Sequence, residues 1–214
     1  MIILVSLVGS VGPAHADIRA TYRNAEGATI TVDVADNGNS RIDFSGQPFF
    51  LIIREGVSYI AYRPPATPFV ARTNDLQTLI SERAGPLNYP MTHQALVERG
   101  TFAVAGRTGR AFWLNIPEPQ TRPVFVLSTD PALAPLRLPM AEQMDFSFDS
   151  IRMTNGEIPS VMLQMRRELD AGAPLIFVGY FLERVTHDRV DEARLALPSE
   201  PVSMDQLRAG IPSR

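Results

Sequence analysis

The residues that could do chemistry are few and poorly grouped. The densest run of titratable side chains is residues 183–192, ERVTHDRVDE, where His187, Asp188 and Asp191 are donors of the kind that hold a divalent cation. Strand alternation would send His187 and Asp188 to opposite faces, and the run falls where a turn is expected. A solvated turn accounts for it, and neither a metal nor another cofactor is assigned. Ser128 and Asp130 with His93 or His187 supply the residue types of a nucleophile, an orienting acid and a base. No G-x-S-x-G elbow surrounds the serine, and Asp130 before Pro131 is the pattern of a helix cap. Gly106-Arg107-Thr108-Gly109 is too short to cradle a phosphate and reads as a hairpin turn. No catalytic residue is assigned, and the chain reads as a non-enzyme.

Composition narrows the chemistry further. All 20 basic residues are Arg and none is Lys, which removes Schiff-base, lysine general-base and P-loop mechanisms. Cysteine is absent, which removes disulfides, thiol nucleophiles, cysteine-zinc sites and a lipidated N-terminal Cys. The formal charge is −3 with no run of like charges, so no nucleic-acid partner is expected. With 214 residues and 45% hydrophobic side chains, one domain with a sizeable core is expected.

The elements that must position any site begin with residues 28–62. Ile30, Val32 and Val34 alternate with Thr29, Thr31 and Asp33, the period-2 pattern of a strand buried on one face. Asp36-Asn37-Gly38-Asn39 turns it into a strand through Ile42 and Phe44. Residues 49–53 are apolar on both faces, and Glu55-Gly56 turns them into the alternation of Val57, Tyr59 and Ala61. With a strand through Ile18, Ala20 and Tyr22, five strands are expected by Tyr62.

The prolines of residues 64–68 force a loop or lip. A helix is predicted over 75–84, stopped by Gly85-Pro86, and another over 92–99. Strands follow at 101–105, 110–115 and 124–127, then a helical turn capped by Asp130. Residues 140–153 are expected as a short helix followed by extended chain. A helix over 161–171, one long strand over 174–182 and an edge strand over 194–198 complete the domain.

Residues 1–11 are almost wholly apolar, Gly12-Pro13 breaks the run, and Ala14 and Ala16 are small residues at cleavage-defining positions, the pattern of a secretory signal peptide. The run is about half the roughly 20 residues needed to span a bilayer. The expected organisation is a signal peptide at 1–16, a single β-rich domain at 17–200 and a C-terminal tail at 201–214, with a periplasmic or secreted product and no stable membrane span.

The order of elements, with GQPFFLIIREGVSYIAYRPP early and ELDAGAPLIFVGYFLERV and ARLALP late, resembles the LolA/LolB-like lipoprotein-carrier superfamily. The resemblance covers about residues 17–198. It implies an α+β, β-rich fold: a curved antiparallel sheet, an incomplete barrel, whose concave apolar face is lidded by short helices and accepts acyl chains. The carriers' motif after the glycine turn is represented here only by Tyr59-Ile60-Ala61-Tyr62-Arg63-Pro64, and the N-terminal Cys of the lipoprotein branch is missing.

The remaining candidates are apolar. Phe44, Phe50, Ile52, Tyr59, Trp113 and Phe177 are the expected ligand-binding residues, with a lipid or lipidated protein as the partner. The alternative is a protein-interaction or envelope-associated module whose apolar residues simply fill a core.

Overall fold

The structure, a computed structural model, describes residues 17–62, 69–84, 94–153 and 158–210. The leader at 1–16, the proline loop at 64–68, the Gly85-Pro86 stop and His93 lie outside the described residues.

Six strands come first: β1 (Ile18–Asn24), β2 (Thr29–Val34), β3 (Ser40–Phe44), β4 (Phe49–Arg54), β5 (Val57–Tyr62) and the short β6 (Val70–Arg72). Helix α1 (Thr73–Ala84) follows, then β7 (Leu96–Val104), β8 (Arg107–Leu114) and β9 (Phe125–Ser128). A helical turn (Pro131–Leu136) leads into α2 (Arg137–Met153) and α3 (Ser160–Glu168). The hairpin β10 (Ala173–Phe177) and β11 (Tyr180–Thr186), a turn at Glu192–Leu195 and α4 (Met204–Gly210) end the chain. The eleven strands form one sheet in the order β6-β5-β4-β3-β2-β1-β11-β10-β9-β8-β7. Each neighbouring pair runs antiparallel, and β1 at the centre pairs β11 across nearly the whole chain. The fold is α+β and β-rich, with a sheet that does not close into a barrel.

Alternation explains why one face is buried. Ile18, Ala20 and Tyr22 of β1, Ile30, Val32 and Val34 of β2, and Ile42 of β3 share the helix-covered side, each at 3% exposure or less. Burying each large member contributes roughly 1.5 to 3 kcal/mol. The cover is α2 and the turn before it: Leu133, Leu136, Met140, Met144 and Phe148 pack into the same core. Tyr22 is wholly buried, donates its hydroxyl to the Pro174 carbonyl at 2.9 Å and meets Phe177 edge-on at 5.2 Å. Burial pushes its phenol well above the usual tyrosine range.

The outer face carries a charged clasp. Asp33 is fully buried because the C-terminal segment crosses over it. It accepts from Arg19 Nη2 at 3.1 Å and Arg194 Nε at 3.1 Å, while Asp43 accepts from Arg194 Nη2 and Arg41 Nε at 2.9 Å each. The Arg41 guanidinium lies 3.7 Å from the centre of the Phe50 ring, and Phe50, Ile52, Ala61 and Val70 form a second small core with Tyr59 and Leu197.

Several expectations are corrected. Residues 137–153 form one continuous helix, because Met140, Met144, Phe148 and Ile151 fall on one helical face. The residues described within the expected helix at 92–99 lead into strand β7. The long strand at 174–182 is a hairpin turned at Val178-Gly179, and the expected edge strand at 194–198 is a helical turn with coil. The β7–β8 turn is Ala105-Gly106, so Gly109 lies inside β8, where a Cβ would come within 2.6 Å of the Leu127 carbonyl oxygen. The segment read as a tail packs onto the body: Leu207 is buried, Arg208 pairs with Glu82 of α1 at 2.6 Å, and Val202 N–H donates to the Val70 carbonyl on edge strand β6 at 2.8 Å.

A candidate ligand groove between the third helix and the last hairpin

Helix α3 is short and weakly buried, with Met165 its one buried residue. Polar ties hold it. Ser160 Oγ and Gln164 Nε2 donate to the Gln94 carbonyl at 2.8 and 3.1 Å, and Gln164 Oε1 accepts from Leu96 N–H at 2.9 Å, fixing the helix to the start of β7. Arg110 Nη2 reaches Glu168 at 2.7 Å, and Arg166 Nε reaches Asp145 of α2 at 2.9 Å. Burial lifts the Asp145 carboxyl above its ordinary range, although Arg166 beside it pulls the other way.

The connection after β8 forms a second wall. Gln120 Nε2 donates to the Leu114 carbonyl at 2.7 Å and its Oε1 accepts from Leu114 N–H at 3.1 Å, so one side chain stands in for a strand partner and folds the loop back. The β10–β11 hairpin forms the third. Phe177 pairs Tyr180 across a two-residue loop in which Val178 has φ +46° and Gly179 φ +79°. Glycine adopts that conformation freely, whereas for a β-branched residue it is strained.

Between these walls lies a groove of about 570 Å³. Its floor is Val161, Met162 and Met165 of α3 facing Ile176 and Phe181 of the hairpin, with Val178 at its lip. Val178 is 45% exposed. Among the described residues Arg122 is the one charged residue that lines the groove, its guanidinium 4.7 Å from the centre of the Phe181 ring, and no carboxylate does. An apolar trough with one cation at its rim can hold a hydrocarbon chain.

None of the six predicted ligand-binding residues lines this groove. Phe44 joins an aromatic row with Phe49 on the helix side, their rings 5.6 Å apart. Phe177 is buried beneath Tyr22. Phe50, Ile52 and Tyr59 lie on the opposite face under the C-terminal segment. Trp113 lines a separate shallow space with Arg99, Ile116 and Glu118. These residues are therefore distributed over packed regions and do not assemble into one concavity, whose volume is taken by α2. The missed signals are the Val161, Met162 and Met165 stripe and the apolar residue before Gly179.

The cluster at 183–192 divides between β11 and the loop beyond it, where Asp191 caps the Glu192–Leu195 turn by accepting from Ala193 N–H at 2.9 Å. Among the described residues no group of three or more His, Cys, Asp or Glu is placed to hold a metal. Asp130 caps its helical turn as expected, accepting from Ala132 N–H at 2.9 Å, and also pairs with Arg107. Among the described residues no helix is long and apolar enough to cross a membrane. No family model matches the chain, and no curated protein or solved structure matches it.

Proposed function

We propose that the protein is an exported, non-enzymatic binding protein that holds an acyl chain, free or attached to a lipidated partner, in the groove between α3 and the β10–β11 hairpin. The observation that carries this reading is the groove's size and lining together. Its volume of about 570 Å³ falls within the range of small-molecule sites, roughly 300 to 1,000 Å³, and two of its floor residues are methionines, which adapt to flexible apolar ligands. Export rests on the apolar leader and its small residues at positions 14 and 16. The unclosed sheet under helices agrees with the carrier resemblance, but the ligand's place moves from the packed hollow to the side groove.

The packed hollow favours a second reading, an interaction or envelope-associated module without a ligand, since Leu133, Leu136 and Met140 are fully buried. Mass spectrometry of protein purified from its host separates the two. The binding reading expects co-extracted lipid, uptake of a neutral naphthylamine dye, and loss of that uptake in Met162→Arg with an unchanged circular dichroism spectrum. Protein free of lipid and indifferent to the dye supports the module instead.

A further inference from the structure

We infer that the occupant of the groove is a single-chain amphiphile with an anionic head, its chain laid along α3 past the Val178 lip and its head paired with Arg122. The inference rests on the acyl-chain reading above and assigns the chemistry of the ligand's other end.

The charge pattern is the first argument. The chain carries more acidic than basic residues, 23 against 20. Several arginines are engaged by carboxylates, Arg19 with Asp33, Arg23 with Glu183, Arg110 with Glu168 and Arg208 with Glu82, and of the described arginines that are not, Arg122 is the one that lines the groove. Arg122 is exposed, and among the described residues no carboxylate partners it. Contact with the Phe181 ring holds the guanidinium at the rim without using its N–H donors, which are left for an anion. The neighbouring polar groups compete weakly for a head group. Gln120 is consumed on both ends by Leu114, which leaves the Thr121 hydroxyl as a companion donor. A cationic head would be repelled, and an uncharged one would accept only the weaker hydrogen bond of a neutral acceptor.

The hairpin tip is the second argument. A two-residue turn of this kind favours Asn-Gly, yet here a strained valine is held half-exposed beside the groove. Of the three residues strained in this way, Glu55, Ala105 and Val178, Val178 is the one that lines the groove, and an apolar lip is what a hydrocarbon chain slides across.

The test uses the full chain and displacement of the neutral naphthylamine dye by hexadecanoate, hexadecyl phosphate, hexadecanol and hexadecyltrimethylammonium. Either or both anions should displace the dye at concentrations about tenfold below hexadecanol, the margin of one charge-assisted hydrogen bond. Arg122→Gln should remove that margin, so that the anions displace the dye no better than hexadecanol does in the same variant. The ranking of the two anions distinguishes a carboxylate from a phosphate head. Equal displacement by hexadecanol in the wild type, or a preference that survives Arg122→Gln, overturns the anionic head and leaves the groove reading standing. No displacement by any amphiphile, with dye uptake indifferent to Met162→Arg, overturns both.

Discussion

Three hairpins in this sheet use the same two-residue loop with a residue other than Asn or Gly at its first position: Glu55-Gly56, Ala105-Gly106 and Val178-Gly179, the non-glycine φ values being +52°, +49° and +46°. Both loop residues are left-handed, as a type I′ turn requires. Left-handed backbone costs an ordinary L-residue roughly 1 to 2 kcal/mol, and Asn bears it more easily. At Glu55 and Ala105, both exposed, substitution by Asn should therefore stabilise the fold by about 0.5 to 1 kcal/mol. Val178 has the larger strain but also contacts to lose. Full burial of valine is worth about 1.5 kcal/mol, so at 45% exposure about 0.8 kcal/mol is at stake. Relief of about 2 kcal/mol against that loss leaves Val178→Asn more stable by about 1 kcal/mol. Urea unfolding followed by Trp113 fluorescence should show each midpoint raised at constant slope, with thermal midpoints up by about 2 to 4 °C per kcal/mol. The turns are well separated, so the triple variant should sum the three gains. A lowered midpoint in Val178→Asn, with the other two raised, would refute the strain assigned to the hairpin tip. Failure of all three would refute the turn argument altogether.

Other outcomes follow from single contacts. Asp33→Ala leaves Arg19 and Arg194 facing a buried void, but both arginines are about 40% exposed. The cost should lie between that of surface and buried pairs, about 2 to 3 kcal/mol, measured by denaturant midpoint. Tyr22→Phe removes the hydroxyl that reaches from β1 to the Pro174 carbonyl of β10 and should cost about 1 to 2 kcal/mol with little change in native circular dichroism. Asp145 binds its proton more readily in the folded protein than in the unfolded chain. Its contribution is therefore fully present below the unfolded value, about 4, and is lost as pH rises through the higher folded value. The wild type should lose stability relative to Asp145→Asn as pH rises over that window, and a flat difference would contradict the assignment.

The early strands were legible because β1, β2 and β3 each bury one face, so alternation reports them directly, and the Asp36 to Asn39 turn is spelled in its preferred residues. The helix at 137–153 was harder. Phe146 and Phe148 stand two apart, a strand signal, while the spacing that wins runs through Met140, Met144 and Phe148. The last hairpin hid for a related reason: residues 175–182 are apolar on both faces, and Val178 is a residue the turn disfavours, so the segment imitates one buried strand. The groove was illegible because its walls come from a loop, a helix and a hairpin separated by tens of residues. Large aromatics drew attention to Phe50 and Phe177, yet aromatic bulk marks packing as readily as binding, and burial by the C-terminal segment and by Tyr22 decided these two.

The pairing of the first strand with the last sets an order on folding. Strand β1 finds one neighbour within a dozen residues, but its other edge waits for residues 180–186. A chain emerging from its N-terminus can lay down the six-strand meander early, yet its inner border stays open until almost everything else has been made. Such an unpaired border is a template for association between chains, and so distant a contact closes slowly. A premature stop before β11 would therefore remove the middle of the sheet, leaving two halves with no strand ladder between them.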